Sequence, residues 1–254
     1  MLHKPEIPSL LIANAEAATG KTTVACAIAA RLRFDGFRVA VCKPIDTKCV
    51  RRREGLVSED AEFLAACADA RHPLDLICPQ RFADPQLPPA LAAERHQQPI
   101  EWETINRSIG LMSRGSDVVI LESPCLLTEP VDAKLLMLDA ARELGAPVVV
   151  VARPSLASLG HTLAAVSLLR SANVRIAGVV VNRYPAENAS VNDEANWRAI
   201  DRWGKVPVLA IVPDEPIARP LLPPGIMSAI GAVDWPTLIG LPLPGTTFAP
   251  RRFR

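Results

Sequence analysis

Short apolar runs alternate with helical periodicity along most of the chain. Residues 9–13 read as a buried strand, and residues 21–33 as a helix with Val24, Ile28, Ala29 and Leu32 on one face. A second strand covers 38–42, after a turn at Gly36. The next helix spans 58–68, with Ser58 as N-cap and the acids Glu59 and Asp60 in its first turn. Residues 72–99, rich in Pro and Gln, predict a long loop around a short helix at 90–95. A helix at 101–113, a strand at 117–121 and a helix at 132–144 follow. The second half repeats the alternation, with strands at 147–151, 175–181 and 206–212 and helices at 157–171 and 192–202.

Strands that are apolar throughout, separated by helices, predict a mainly parallel sheet with helices on both faces. That is a three-layer α/β domain. Right-handed crossovers then put the strand C-terminal ends, and the loops after them, on one edge. The alternation stops after Pro213. The tail is Pro-rich, ends in Arg251-Arg252-Phe253-Arg254, and predicts an extended wrap. The chain thus divides into a domain at 1–215 and an extension at 216–254 that packs on it or trails from it.

The strongest chemical signal is Ala15-Glu16-Ala17-Ala18-Thr19-Gly20-Lys21-Thr22-Thr23, between the first strand and the first helix. This is the position of a phosphate-binding P-loop, although Ala15 stands where a leading glycine is usual. Backbone N–H groups would cradle the phosphates of ATP, Lys21 would neutralise their oxygens, and Thr22 would offer its hydroxyl to Mg²⁺. Lys43 follows the second strand and points toward the crevice where ligands of such sheets bind. Glu122 ends the strand Val119-Ile120-Leu121, where P-loop proteins keep a carboxylate for the metal.

Charge sharpens this reading. Lys+Arg is 28 against 27 for Asp+Glu, which disfavours a broad nucleic-acid surface. Only 6 of the 28 basic residues are lysines, and two of them fall at crevice positions. A compact ammonium between phosphate oxygens is a place where arginine is a poor substitute. The run Lys48 to Arg53 beside the site reads as a solvated loop. The six cysteines form no CxxC pair and lie mostly in apolar runs, so they read as small buried residues of a reducing compartment. With no signal-peptide pattern and no apolar run of membrane length, a cytoplasmic protein is expected.

Taken in order, these pieces resemble dethiobiotin synthetase. They are Gly-Lys-Thr, strand-end Lys43-Pro44, Ser58-Glu59-Asp60-Ala61, Phe82-x-x-Pro85-x-x-Pro88 and strand-end Glu122. Ala152-Arg153-x-x-Leu156-x-x-x-x-His161-Thr162-Leu163 and strand-end Asn182 complete the series. The likeness covers residues 8–215. It implies a P-loop NTPase-like fold, a homodimer, and carboxylation of 7,8-diaminopelargonic acid with CO₂ and ATP, closing a cyclic urea. It assigns Gly20, Lys21, Thr22 and Thr23 to ATP phosphates. Thr22, Asp60 and Glu122 fall to Mg²⁺, and Asn182 and Pro213 to the adenine end. Lys43 would contact the carbamate and the transferred phosphoryl group, and Thr47 the substrate. His161 is expected in core or interface packing.

The chain also departs from the family pattern. Two hydroxyls of the phosphate loop are replaced by Ala15 and Ala17, and its Asp by Glu16. The loop Glu-Gly-Ala-Gly-Gly is here Glu122-Ser123-Pro124-Cys125-Leu126, which removes an N–H and adds bulk where glycine let the backbone approach the diamine. Pro89 and Gly160 stand where the family has His and Asn. Two rival readings follow: a non-catalytic nucleotide-binding relative, and an ATP-dependent ligase for another amine or carboxylate.

Overall fold

The computed structural model describes residues 2–241. In chain order the first elements are β1 (Ser9–Asn14), α1 (Lys21–Phe34), β2 (Val39–Cys42), β3 (Ile45–Asp46), β4 (Val50–Arg52) and β5 (Gly55–Val57). Next come α2 (Glu59–Ala68), α3 (Leu74–Ile77), β6 (Gln80–Arg81), α4 (Pro89–Arg95), α5 (Trp102–Ser113) and β7 (Val118–Glu122). The second half holds α6 (Met137–Leu144), β8 (Val148–Ala152), α7 (Leu156–Ser171), β9 (Ile176–Tyr184), α8 (Val191–Gly204) and β10 (Val208–Pro213). Two short helices follow, α9 (Pro224–Gly231) and α10 (Trp235–Ile239).

Six strands make one parallel sheet in the order β10-β9-β8-β1-β7-β2. β1 is central, with Leu11 opposite Leu121 on one side and Val148 on the other. β1, β2, β7 and β8 are buried at every position, which is why their sequences are apolar without alternation. The chain builds β2 and β7 on one side of β1, and β8, β9 and β10 on the other. That reversal leaves a crevice outside the carboxyl end of β1. The loop from β1 to α1 therefore opens where three strand ends meet.

Helix α1 is covered on nearly all sides, by the sheet, by α2 and by α9 and α10. Its run Val24-Ala25-Cys26-Ala27-Ile28-Ala29 is wholly buried. An isolated surface helix of that composition would show a polar face.

The structure differs from the sequence expectations in three places. The helix expected at 132–144 begins only at Met137. Asp132 closes a tight turn instead, its Oδ1 accepting from the N–H groups of Lys134 (2.7 Å) and Leu135 (2.8 Å). Second, the loop at 72–99 carries α3 and β6 besides α4, and the basic run near Arg51 folds back as the antiparallel pair β4–β5. Third, the C-terminal stretch is not an extended wrap through Leu241: α9 packs on α1 and β10. The basic end Arg251-Arg252-Phe253-Arg254 lies outside the described residues.

Trp235 anchors this C-terminal layer. It is fully buried, and its Nε1–H donates to the Ile230 carbonyl at 2.8 Å. Trp235→Ala is expected to lower stability by about 3–5 kcal/mol, read as a shifted midpoint in urea unfolding. A trailing tail would show no shift.

Candidate active site

β1 ends at Asn14, and after six intervening residues α1 starts at Lys21 with Gly20 as N-cap. Gly20 has φ +82° and a Cβ there would lie 2.3 Å from Asn182 Nδ2, so both backbone and space demand glycine. Asn182, near the end of β9, donates from Nδ2 to the Thr19 carbonyl at 2.7 Å and ties the loop to the sheet. Lys21 Nζ donates to Asn14 Oδ1 at 3.0 Å. Asn14 Nδ2 also reaches the Glu16 carbonyl, so a side chain braces the loop that here has no leading glycine.

The start of α1 is prepared for an anion. No side chain caps it and no acid lies in its first turn. In α2, by contrast, the Ser58 hydroxyl accepts from the Ala61 N–H, and three acids fill the first turn. The unpartnered N–H groups and the dipole of α1 thus point at the crevice with a lysine beside them. Burial pushes the Lys21 ammonium down to about 8, only partly opposed by Glu122. A bound polyanion would relieve that cost.

Next to the loop, Lys43 lies between two carboxylates. Its Nζ is 2.8 Å from Glu122 Oε1 and 2.9 Å from Asp60 Oδ2, and all three side chains are buried or nearly so. Burial opposes the Lys43 charge, but Glu122, Asp60 and Asp46 outweigh it and hold its pKa above the usual lysine range. Burial likewise opposes ionisation of Asp60, yet Lys43 and then Arg219 win and pull it down to about 2. Thr22 Oγ1 donates to Glu122 Oε1 at 2.9 Å, which joins the phosphate loop to the acid cluster.

Among the described residues, no group of three or more His, Cys, Asp or Glu side chains forms a metal cage. A cation here would draw on the Thr22 hydroxyl, the Glu122 and Asp60 carboxylates and phosphate oxygens. That is the ligand mixture Mg²⁺ takes in nucleotide sites. Glu122 Oε2 is buried with no hydrogen-bond partner, so the donor set has an oxygen to give.

The structure thus brings Gly20, Lys21, Thr22, Lys43, Asp60, Glu122 and Asn182 to one crevice. Thr23 is buried in the first turn of α1. Thr47 is buried after β3, its carbonyl accepting from the Asp84 N–H at 2.7 Å. Pro213 ends β10 opposite Tyr184. His161 is not a core residue: its side chain is 60% exposed, 3.5 Å from Glu16 Oε2. The Ser123–Leu126 turn is closed by Ser123 Oγ donating to the Cys125 carbonyl at 3.1 Å. Leu126, with Asn14, Ala15, His161 and Leu168, lines a cavity of about 160 Å³ beside the phosphate loop. Asn14 and Arg219 were missed by sequence reasoning. Asn14 is the last residue of an apolar strand and belongs to no motif, and Arg219 lies in a Pro-rich stretch without motif or periodicity.

Removing the Lys43 ammonium leaves two buried acids facing each other. Lys43→Met is expected to cost about 3–5 kcal/mol in urea unfolding, and Lys43→Met with Glu122→Gln less than that.

A family profile described as an AAA domain matches residues 8–220. The ATP-dependent dethiobiotin synthetase of Anaeromyxobacter dehalogenans (strain 2CP-C) is 33% identical over 212 residues, 83% of this chain and 92% of that protein. The one from Thermodesulfovibrio yellowstonii is 27% identical over 210 residues, 80% of this chain and 87% of its own. Two solved structures share the fold. The MinC:MinD cell division protein complex of Aquifex aeolicus gives a TM-score of 0.50 at 19% identity, covering 82% of each chain. Apo McdA of Cyanthece gives 0.53 at 12% identity, covering 92% of this chain and 97% of that one. Identity of one residue in three, sustained across nearly the whole length of a dethiobiotin synthetase, makes this chain a member of the dethiobiotin synthetase family of P-loop proteins.

Proposed function

We propose that the protein is an ATP-dependent cyclo-ligase that joins CO₂ to 7,8-diaminopelargonic acid and closes a cyclic urea. The observation that carries this reading is the Lys43 ammonium held between Glu122 and Asp60 beside the phosphate loop. Phosphoryl transfer to a carbamate requires clustered positive charge and fixed geometry more than covalent help.

In this reading the N–H groups at the start of α1 and the Lys21 ammonium bind the ATP phosphates. Thr22, Glu122 and Asp60 would hold Mg²⁺, which when bound would withdraw charge from the phosphate oxygens. Asn182 and the chain after Pro213 face the adenine, where the Asn182 carbonyl oxygen offers an acceptor for the base amino group. Thr47 orients the substrate. Lys43 binds the carbamate formed from one amine and CO₂, and steadies the equatorial oxygens as a carbamate oxygen attacks the γ-phosphorus. ADP leaves, giving a carbamic-phosphoric anhydride. The second amine attacks the carbonyl carbon, phosphate departs, and the urea ring closes with loss of the amine protons.

We take the working form to be a cytoplasmic homodimer. Among the described residues, no helix is long and apolar enough to cross a membrane. Leu156 and Val191, at the starts of the packed helices α7 and α8, are 73% and 85% exposed, an apolar surface that a second copy would cover. A second reading, the same chemistry on a different amine, is favoured by Pro124, Cys125 and Leu126 in the substrate loop. A rim with more side-chain bulk selects a different shape, not a different reaction.

Incubation with Mg²⁺, ATP, bicarbonate and 7,8-diaminopelargonic acid is expected to yield the cyclic urea, detected by mass. Lys43→Ala should lower kcat by about 10²–10³-fold. Nucleotide binding without product at any enzyme concentration would sink the diamine assignment.

Nucleotide binding should also depend on pH. The free Lys21 loses its proton near pH 8, whereas a phosphate-bound Lys21 keeps it. Affinity should therefore fall as pH rises above 8, with proton uptake approaching one per nucleotide at pH 9. Calorimetry in buffers of different ionisation enthalpy reads this directly.

A further inference from the structure

Beyond Pro213 the chain runs from the end of β10 to the first turn of α2 before entering α9. Its course is fixed by several contacts. The Asp214 N–H donates to the Tyr184 carbonyl at 2.9 Å, and Glu215 Oε2 accepts from the Ile226 N–H at 3.3 Å. Cys67 Sγ lies 3.7 Å from the Pro220 carbonyl as its donor. Between them, Arg219 Nη2 donates to Asp60 Oδ1 at 2.9 Å across 159 positions of sequence. Its guanidinium carbon lies 4.8 Å from the centre of the Phe63 ring, one turn along α2 from Asp60. The guanidinium is thus held by both a carboxylate and an aromatic face, a geometry a lysine does not reproduce.

The two oxygens of Asp60 have different partners. Oδ2 faces Lys43, and through it Glu122, while Oδ1 is held from outside by Arg219. We propose that Arg219 is a positioning residue for the metal–nucleotide site: it clamps Asp60 so that the other carboxylate oxygen stays turned toward Lys43 and, through it, Glu122. The inference rests on the nucleotide reading above and deepens it. It makes the stretch 213–220 a strap that starts at the adenine end of the site and is fastened at the metal end.

Two effects of Arg219 oppose each other. Its positive charge repels a divalent cation, and its hydrogen bond orders a ligand of that cation. The Arg219 side chain is 44% exposed and its charge is screened by water, whereas the Asp60 side chain is only 19% exposed. Ordering therefore dominates. Partners that orient a metal ligand typically govern metal affinity by about 10–100-fold.

The test is the Mg²⁺ concentration for half-maximal ATP binding, followed by calorimetry on the full chain, with ATP binding in EDTA as reference. Arg219→Gln is expected to raise it about tenfold and to leave metal-free ATP binding within about twofold. Arg219→Lys, which keeps the charge and loses the flat stack, should fall between Gln and wild type. An unchanged or lower Mg²⁺ requirement in Arg219→Gln overturns the proposal. So does a drop in Tm with the requirement unchanged, which marks a merely structural contact. If the wild-type protein binds no Mg²⁺–ATP, the nucleotide reading itself fails and this inference falls with it. If wild type binds and the variants show the same Mg²⁺ requirement, the inference alone fails.

Discussion

The Lys43 ammonium stands 2.8 Å from Glu122 and 2.9 Å from Asp60, in a place where water is nearly excluded. Each partner comes from a different element: the lysine from the end of β2, the glutamate from the end of β7, the aspartate from the first turn of α2. Without the ammonium between them the two carboxylates would repel one another across a nearly dry site. The ion pair costs desolvation and returns Coulomb energy only in this one geometry. It therefore selects an arrangement more than it adds stability. Thr22 joins the arrangement through Glu122, so the phosphate loop and the acid cluster share one anchor.

The opposite end of the site is built by what is withheld. α2 receives a serine cap and three acids, while α1 receives neither and carries Lys21 at its first position. A helix start left that way is unfavourable alone, since its dipole opposes the lysine and its N–H groups have no side-chain partner. The protein places this cost where a polyanion would remove it. Burial then makes it larger, lowering the Lys21 pKa to about 8.

The sheet was legible because parallel strands covered on both faces must be apolar through their middles, as Leu10–Ala13 of β1, Val118–Leu121 of β7 and all of β8 are. The phosphate loop was legible because Gly20 has a backbone angle and a close neighbour that exclude other residues. Lys43 and Glu122 stand out in the sequence at strand ends, whereas Asp60 reads there as an ordinary helix-start acid and takes its role only from the family resemblance. Asp132 misled because the same carboxylate can cap a helix or close a turn, and local sequence does not decide between them. The C-terminal helices were hidden because Pro223 and Pro224 read as chain breakers, whereas prolines at a helix start are compatible with it. α1 held the missing clue: a helix apolar on all sides needs covering on all sides, and the sheet and α2 supply only part of that cover.

The departures from the family pattern do not fall evenly over the site, and physics separates their consequences. In the proposed reaction phosphoryl transfer depends on charge at fixed points, which Lys21, Lys43, Thr22, Asp60 and Glu122 would provide whatever amine is carboxylated. Amine recognition depends on shape, and shape is what Pro124, Cys125 and Leu126 alter. Pro124 has no N–H to offer a ligand, and Cys125 is turned inward and buried. Leu126 lines the cavity with Ala15, and Asp60 is not among its walls. A chain that had abandoned catalysis would have no need to keep a buried lysine between two acids, because apolar residues of similar volume would fill the same space at lower cost. The charge cluster therefore argues for a working phosphoryl site, and the loop argues about what it is offered.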